Sequence, residues 1–353
     1  MTDQTKFLAL HTGVPDQCYS QDEISDFYVQ LLEQQGSHRD RAIRTIMNRS
    51  GVKYRYSVVP PDYFLTSRTT QQRNDRYMEY AVPLGEQVIR AGLEQADIDP
   101  QQIGSFTVVS CTGFNTPGLD LLLAGRLGLP SNLTRTCILG MGCYAAFPGL
   151  RRALESVIAK PDQLALVLAL EFCTLHLQFD DAVESVVSTS LFADGAAMAV
   201  IGKSSDSSLM PTIIDSETYC DYQTLDHMSF NVTDHGFRMY LSSYVPDVLA
   251  ANICDFAEKL LARNGLHHRD IKYWVIHPGS KRIVEYIQQQ LELTDEQTQP
   301  SFDILRDYGN MSSATVLFIL ERLIQSSDPQ PGDYGVMMAF GPGLTMESLL
   351  VRW

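Results

Sequence analysis

The chain has 353 residues, enough to bury a large core in one domain or two, with the 44% hydrophobic and 20% charged content of a globular protein. A net charge of −15 opposes general attraction to nucleic acid or to an anionic membrane, so any anionic ligand needs a local cluster of cations. No run of about 18 apolar residues is present to span a bilayer, and seven scattered cysteines without a CxxC pair fit reduced thiols in the cytoplasm better than a disulfide framework or a zinc site.

Taken in order, KFLALHTG reads as a first strand, with none of the layout of a signal peptide. SQDEISDFYVQLLEQQ follows as a helix capped by Ser20. RNDRYMEYAVPLGEQVIRAGLEQ is a second helix, in which Pro83 predicts a kink or break. SFTVVSCTG, QLALVLALE and AAMAVIG are short apolar runs bounded by Gly or polar residues, and so read as buried strands. The polar stretch that begins near residue 202 makes the best domain boundary, separating residues 1–205 from 206–353. Beyond it, VPDVLAANICDFAEKLLARNG has Pro246 near its start and Gly265 at its end, the favoured helix asymmetry. The strand KYWVIHPG, the helices SKRIVEYIQQQLEL and SATVLFILERLIQS, and the strand YGVMMAFGPG complete the chain. Strand and helix alternate throughout, which predicts an α/β protein with helices on both sheet faces. LFADGAAMAVIG and AFGPGLTMESLLV echo one another at the ends of the two stretches, as two related halves would.

Three residues could carry chemistry. Cys143 lies where an apolar run meets a Gly-x-Gly turn ahead of a helical pattern. Such a turn can present a thiol at a helix N-terminus, where unpaired N–H groups lower its pKa from about 8.5; composition alone favours a small buried cysteine. Pro148 and Gly149 either begin the helix proper or distort its first turns. His277 ends the strand run KYWVIH, at the sheet edge where functional groups collect. It reads as a loop-bonding imidazole or as the partner of a thiolate. Asn310, in YGNMSSA, is either a helix cap or a neutral donor to an oxyanion.

The segments CTGFNTPGLDLLL, GMGCYAAF, LFADGAAMAVIG, WVIHPGSKRIVE, YGNMSSATVLFILE and FGPGLTMESLLV, in this order, closely resemble the chalcone synthase-like type III polyketide synthases, bacterial-type members in particular. The resemblance runs from roughly residue 40 to the C-terminus. It implies the thiolase-like αβαβα layered fold built from two halves, the first carrying the cysteine and the second the histidine and asparagine. It also implies a homodimeric acyltransferase. Cys143 would carry the starter from an acyl-CoA as a thioester, and His277 and Asn310 would stabilise the enolate formed when malonyl-CoA loses carbon dioxide. The lengthened chain would then close to an alkylresorcinol, an acylphloroglucinol or a pyrone. No cofactor and no metal is implied, only CoA thioesters.

Carried over residue by residue, Phe192 matches the family's gatekeeper between CoA tunnel and cavity, and Met239 a second gatekeeping aromatic. Met is slimmer and more adaptable than Phe, which suits long or flexible starters. Cys111, Thr112 and His176 match cavity positions that tune chain length and ring closure. Thr116 matches a loop that crosses the dimer axis, and Gly341, Pro342 and Gly343 a cyclisation loop. Arg49, Lys53 and Arg55 form the best basic cluster for the CoA phosphates, with Arg44 beside them. A β-ketoacyl carrier-protein synthase III-like enzyme shares the Cys-His-Asn logic and is the alternative.

Overall fold

The computed structural model describes residues 4–204, 210–242 and 245–353. The expected boundary at 205/206 lies outside the described residues. Nine strands form one mixed sheet in the order Ile271–Ile276, Tyr334–Gly341, Thr345–Arg352, Thr212–Cys220, Gln4–Gly13, Asp194–Ser204, Leu164–Phe172, Ile103–Val109 and Thr134–Ile138. Four of them repeat a pattern. Ile103–Val109 runs parallel to Leu164–Phe172, which pairs antiparallel with Asp194–Ser204, and that strand with Gln4–Gly13. Ile271–Ile276, Tyr334–Gly341, Thr345–Arg352 and Thr212–Cys220 follow the same succession. The two quartets meet at a single pairing, Lys6 with Thr212. The echoing segments thus supply equivalent strands, Asp194–Ser204 and Thr345–Arg352.

Three cores separate the layers. The helices Ala146–Ala159 and Thr315–Ser326 pack between the quartets, with Phe147, Leu150, Val316, Leu317, Phe318 and Ile319 in one shared core. Thr315–Ser326 buries residues around most of its circumference, as an inner-layer helix must. The helices Thr70–Gln95 and Leu119–Leu127 cover the far face of the first quartet, and Val245–Arg263 and Lys281–Gln290 that of the second. The result is the αβαβα stack.

Local signals hold where chemistry is short-ranged. Ser20 caps the helix Gln21–Leu31 in a reciprocal capping box with Glu23. Gly265, at φ +69, follows the end of Val245–Arg263. Pro83 does not break its helix, which is assigned without interruption over Thr70–Gln95. Pro83 is exposed, so water can satisfy the carbonyl it frees while Tyr77, Ala81, Leu84 and Val88 continue the buried face. The polar stretch read as a boundary contributes a full strand, Thr212–Cys220, and then the hairpin Met228–Thr233/Gly236–Leu241.

Candidate active site

Cys143 stands on the tight 3₁₀ turn Gly142–Tyr144, and the helix Ala146–Ala159 begins three residues later. Pro148 is the third residue of that helix, where its missing N–H would have had no intrahelical partner, so the helix starts cleanly before it. Gly142 has φ +73, and a Cβ there would meet Pro342 Cδ at 2.7 Å; a Cβ on Gly341 would meet the Tyr144 ring at 2.6 Å. The two glycine turns interlock, and Cys143 is fixed between them.

His277 follows the last residue of the strand Ile271–Ile276, and its N–H donates to Met338 O at 2.9 Å. Gly279 then turns the chain back, its N–H donating to His277 O at 3.0 Å. The imidazole is fully buried, and neither ring nitrogen has a hydrogen-bond partner. Burial alone pushes its pKa down to about 3, so the ring is neutral at working pH.

Asn310 lies beyond Gly309, which ends the helix Asp295–Tyr308 at φ +75. Its backbone bridges to the segment around Phe192: Asn310 N–H donates to Leu191 O at 2.8 Å, and Ala193 N–H to Asn310 O at 2.9 Å. Both roles foreseen for its side chain are compatible. Oδ1 accepts from Ser312 N–H at 2.8 Å, capping the next turn, while Nδ2 donates to Gly279 O at 3.3 Å, beside His277. Asn310 therefore links the segment Leu191–Ala193 to the histidine turn.

Burial pushes the Cys143 thiol up to about 11, against hydrogen bonds from Ser312 and Asn310 that pull it down. The direction is opposite to that expected of a helix terminus: Cys143 sits ahead of the helix in an apolar cluster with Cys173, Leu177 and Phe192, and burial is the largest influence on it. In the resting protein the thiol is protonated and the imidazole neutral.

Two hollows adjoin, sharing Cys111, Phe230 and Phe237. The inner one is constricted, with Cys111, Thr112, Cys173, His176, Phe192 and Met239 among its walls. The outer one, of about 550 Å³, takes Pro342 and Gly343 as walls, next to Gly142. Phe192 belongs to the Cys143 cluster, and half-buried Met239 packs against it. His176 is fully committed: Nδ1 accepts from Phe237 N–H at 3.1 Å, Nε2–H donates to Thr112 O at 2.7 Å, and the ring stacks on Phe237. It pins the hairpin over the cavity. Thr116 lies on an exposed loop and lines neither hollow.

Sequence reasoning missed Glu171 and Ser312. Glu171, fully buried, accepts from Cys111 N–H at 3.0 Å, Thr112 Oγ1 at 2.8 Å and Ser313 Oγ at 2.5 Å. Burial raises its pKa against these donors. A lone carboxylate ending the apolar run QLALVLALE was the available signal.

The basic cluster divides. Arg55 is 1% exposed, and its guanidinium donates to the carbonyls of Thr189, Ser190 and Phe192 and to Gln21 Oε1. It is a structural tie that cannot reach a phosphate. Arg44 is held by Asp26 and Asp40. Arg49 and Lys53 are exposed, with no carboxylate partner among the described residues. Arg55→Ala is expected to lower stability by about 3 kcal/mol, because four buried acceptors lose their donor; a denaturant midpoint checks this.

Among the described residues no helix is long and apolar enough to cross a membrane, and no three His, Cys, Asp or Glu side chains converge to hold a metal. Cys143, His277 and Asn310 line neither hollow but are all buried, at turns of the two repeated sheet units, and those two units are the architecture of thiolase-type condensing enzymes.

The family model for the N-terminal domain of chalcone and stilbene synthases matches residues 2–205, and that for the C-terminal domain residues 219–353. A 3,5-dihydroxyphenylacetyl-CoA synthase of Amycolatopsis balhimycina is 32% identical over 100% of this chain and 94% of its own length. A 1,3,6,8-tetrahydroxynaphthalene synthase of Streptomyces peucetius subsp. caesius is 30% identical over 99% of this chain and 93% of its own. The crystal structure of PKS-I from the brown alga Ectocarpus siliculosus superposes with a TM-score of 0.92 at 30% identity, covering 100% of this chain and 99% of that one. The chain belongs to the chalcone and stilbene synthase family; it is a type III polyketide synthase, an acyltransferase. The carrier-protein synthase alternative is not favoured.

Proposed function

We propose that Cys143 is the nucleophile and His277 and Asn310 the enolate-stabilising donors of this synthase. The observation that carries the reading is Asn310, whose Nδ2–H reaches Gly279 O at 3.3 Å beside the buried, unpartnered imidazole and whose backbone is bonded on either side of Phe192, which packs with Cys143. Cys143 Sγ attacks the acyl carbonyl of the starter, its proton passing to His277. The C–S bond to CoA breaks, and CoA leaves with that proton. Malonyl-CoA then places its thioester carbonyl oxygen against His277 N–H and Asn310 Nδ2–H. As the carboxylate departs as carbon dioxide, the electron pair of the broken C–C bond moves into the enolate, whose oxygen these two donors stabilise. The enolate carbon attacks the Cys143 thioester, forming the new C–C bond and releasing the thiolate.

Arg49 and Lys53 are the remaining candidates for the CoA phosphates. Residues 1–205 and 206–353 serve as the two halves. Homodimer assembly is supported by the unpaired outer edge of Thr134–Ile138 and by the exposed apolar side chains Phe114, Leu121 and Leu139, Thr116 lying on the same loop as Phe114. The cytoplasm suits its free cysteines. The product is an alkylresorcinol, an acylphloroglucinol or a pyrone. Mass spectrometry of products from a panel of acyl-CoA starters with malonyl-CoA tests this; malonyl-CoA left untouched with every starter refutes it. Met239→Phe is expected to cut kcat/KM for long acyl-CoA starters about tenfold relative to short ones. Unchanged relative values with the two starter lengths would rule out the gate.

A further inference from the structure

The start of the helix Thr70–Gln95 grips both walls of the inner hollow. Thr69 caps this helix in a reciprocal capping box with Gln72, so the cap does not need Thr70. Thr70 instead holds the turn of the hairpin Met228–Thr233/Gly236–Leu241. Its N–H donates to Asp234 O at 2.8 Å, its hydroxyl donates to Thr233 O, and the same oxygen accepts from Gly236 N–H at 2.8 Å. Nearly one turn on, Arg73 is 6% exposed, and its guanidinium donates to Leu175 O and to Leu177 O, the latter at 3.3 Å. Gly236 rests on this assembly: a Cβ there would meet Arg73 Cδ at 2.8 Å and His176 Nδ1 at 3.1 Å, and its φ of +100 suits glycine. Phe230, Phe237 and Met239 form the hairpin side of the inner hollow, and Cys173, His176 and Leu177 stand on the segment that Arg73 holds. The spacing of the two walls is thus referred to one rigid helix end. The hairpin is a separate two-stranded sheet with Val232 and Tyr240 exposed, and two strands alone are marginal in water, so the bonds at its turn weigh heavily on where it lies.

We propose that Thr70, which lines neither hollow, is a positioning residue that sets starter selectivity. Its hydroxyl, bonded to the last residue of one hairpin strand and the first of the other, holds Met239 against the opposite wall. The proposal rests on the reading of Met239 as a gate that faces the starter.

The test compares intact wild-type, T70V and T70S enzymes. T70V keeps the backbone N–H and the side-chain shape and loses only the hydroxyl, while the ties of the hairpin to His176 and Gln178 remain. Hydrogen exchange followed by mass spectrometry is expected to show the hairpin peptide of T70V opening about tenfold faster. The ratio of kcat/KM for a long acyl-CoA starter over a short one is expected to rise about threefold or more in T70V, with malonyl-CoA decarboxylation at the wild-type rate. T70S, which keeps the hydroxyl, is expected to match the wild type in all three. An unchanged ratio in T70V overturns the proposal, since a residue that merely stabilises the fold affects both starters alike. M239F, assayed alongside, tells the two failures apart: a shifted ratio there with none in T70V removes the role of Thr70 alone, and no shift in either removes the gate as well.

Discussion

Cys143→Ala is expected to lose polyketide formation by a factor of about a thousand or more while still releasing carbon dioxide from malonyl-CoA. The two outcomes separate because the proposed chemistry is divided between residues: the sulfur would make the covalent bond to the starter, whereas the imidazole and the amide would stabilise the enolate, and the substitution leaves both in place. The thiol is small and buried among Cys173, Leu177 and Phe192, so alanine costs little packing and the fold survives. Radiolabelled acyl-CoA and a carbon dioxide assay read the two half-reactions. Acyl transfer to the variant at the wild-type rate would remove Cys143 from its role.

His277→Ala is expected to depress both half-reactions, with decarboxylation falling about a hundredfold or more, the usual effect of removing one oxyanion donor. The pH dependence is the sharper test. An ordinary histidine gains a proton near pH 6.5, but burial holds this ring neutral down to about 3. The sign follows directly: a folded pKa below the ordinary value means that lowering the pH from 8 to about 5.5 leaves the imidazole unprotonated. Decarboxylation by the Cys143→Ala enzyme should therefore be flat over that range. A loss of activity centred near pH 6.5 would contradict a dry, neutral imidazole.

The turns that carry the three candidate residues were legible because each turn needs particular flanks. Cys143, His277 and Asn310 each stand at a turn that interrupts regular structure, and glycine or proline marks each turn in the sequence. Other features depend on burial, which a run of letters does not express. Arg49, Lys53 and Arg55 look alike in NRSGVKYRY, but alternation along the strand Tyr54–Ser57 sends Arg55 inward to carbonyl acceptors. The helix behind the thiol predicts a lowered pKa, whereas burial in the apolar cluster in front of it acts in the opposite direction. Glu171 and Ser312 are ordinary residues in sequence; only the fold brings them to Cys111. The hairpin Met228–Leu241 was partly hidden too, since its mixed polar composition resembles a linker.

The backbone bridge between Phe192 and Asn310 constrains how this enzyme could acquire a new substrate. Displacing the loop that bears the aromatic ring would drag along the amide bonded to its neighbours Leu191 and Ala193. On the proposed roles, selection for a different starter would exchange side chains on a fixed frame, and the hairpin Met228–Leu241, which among the described residues carries no such tether to the asparagine, is where variation would cost the chemistry least.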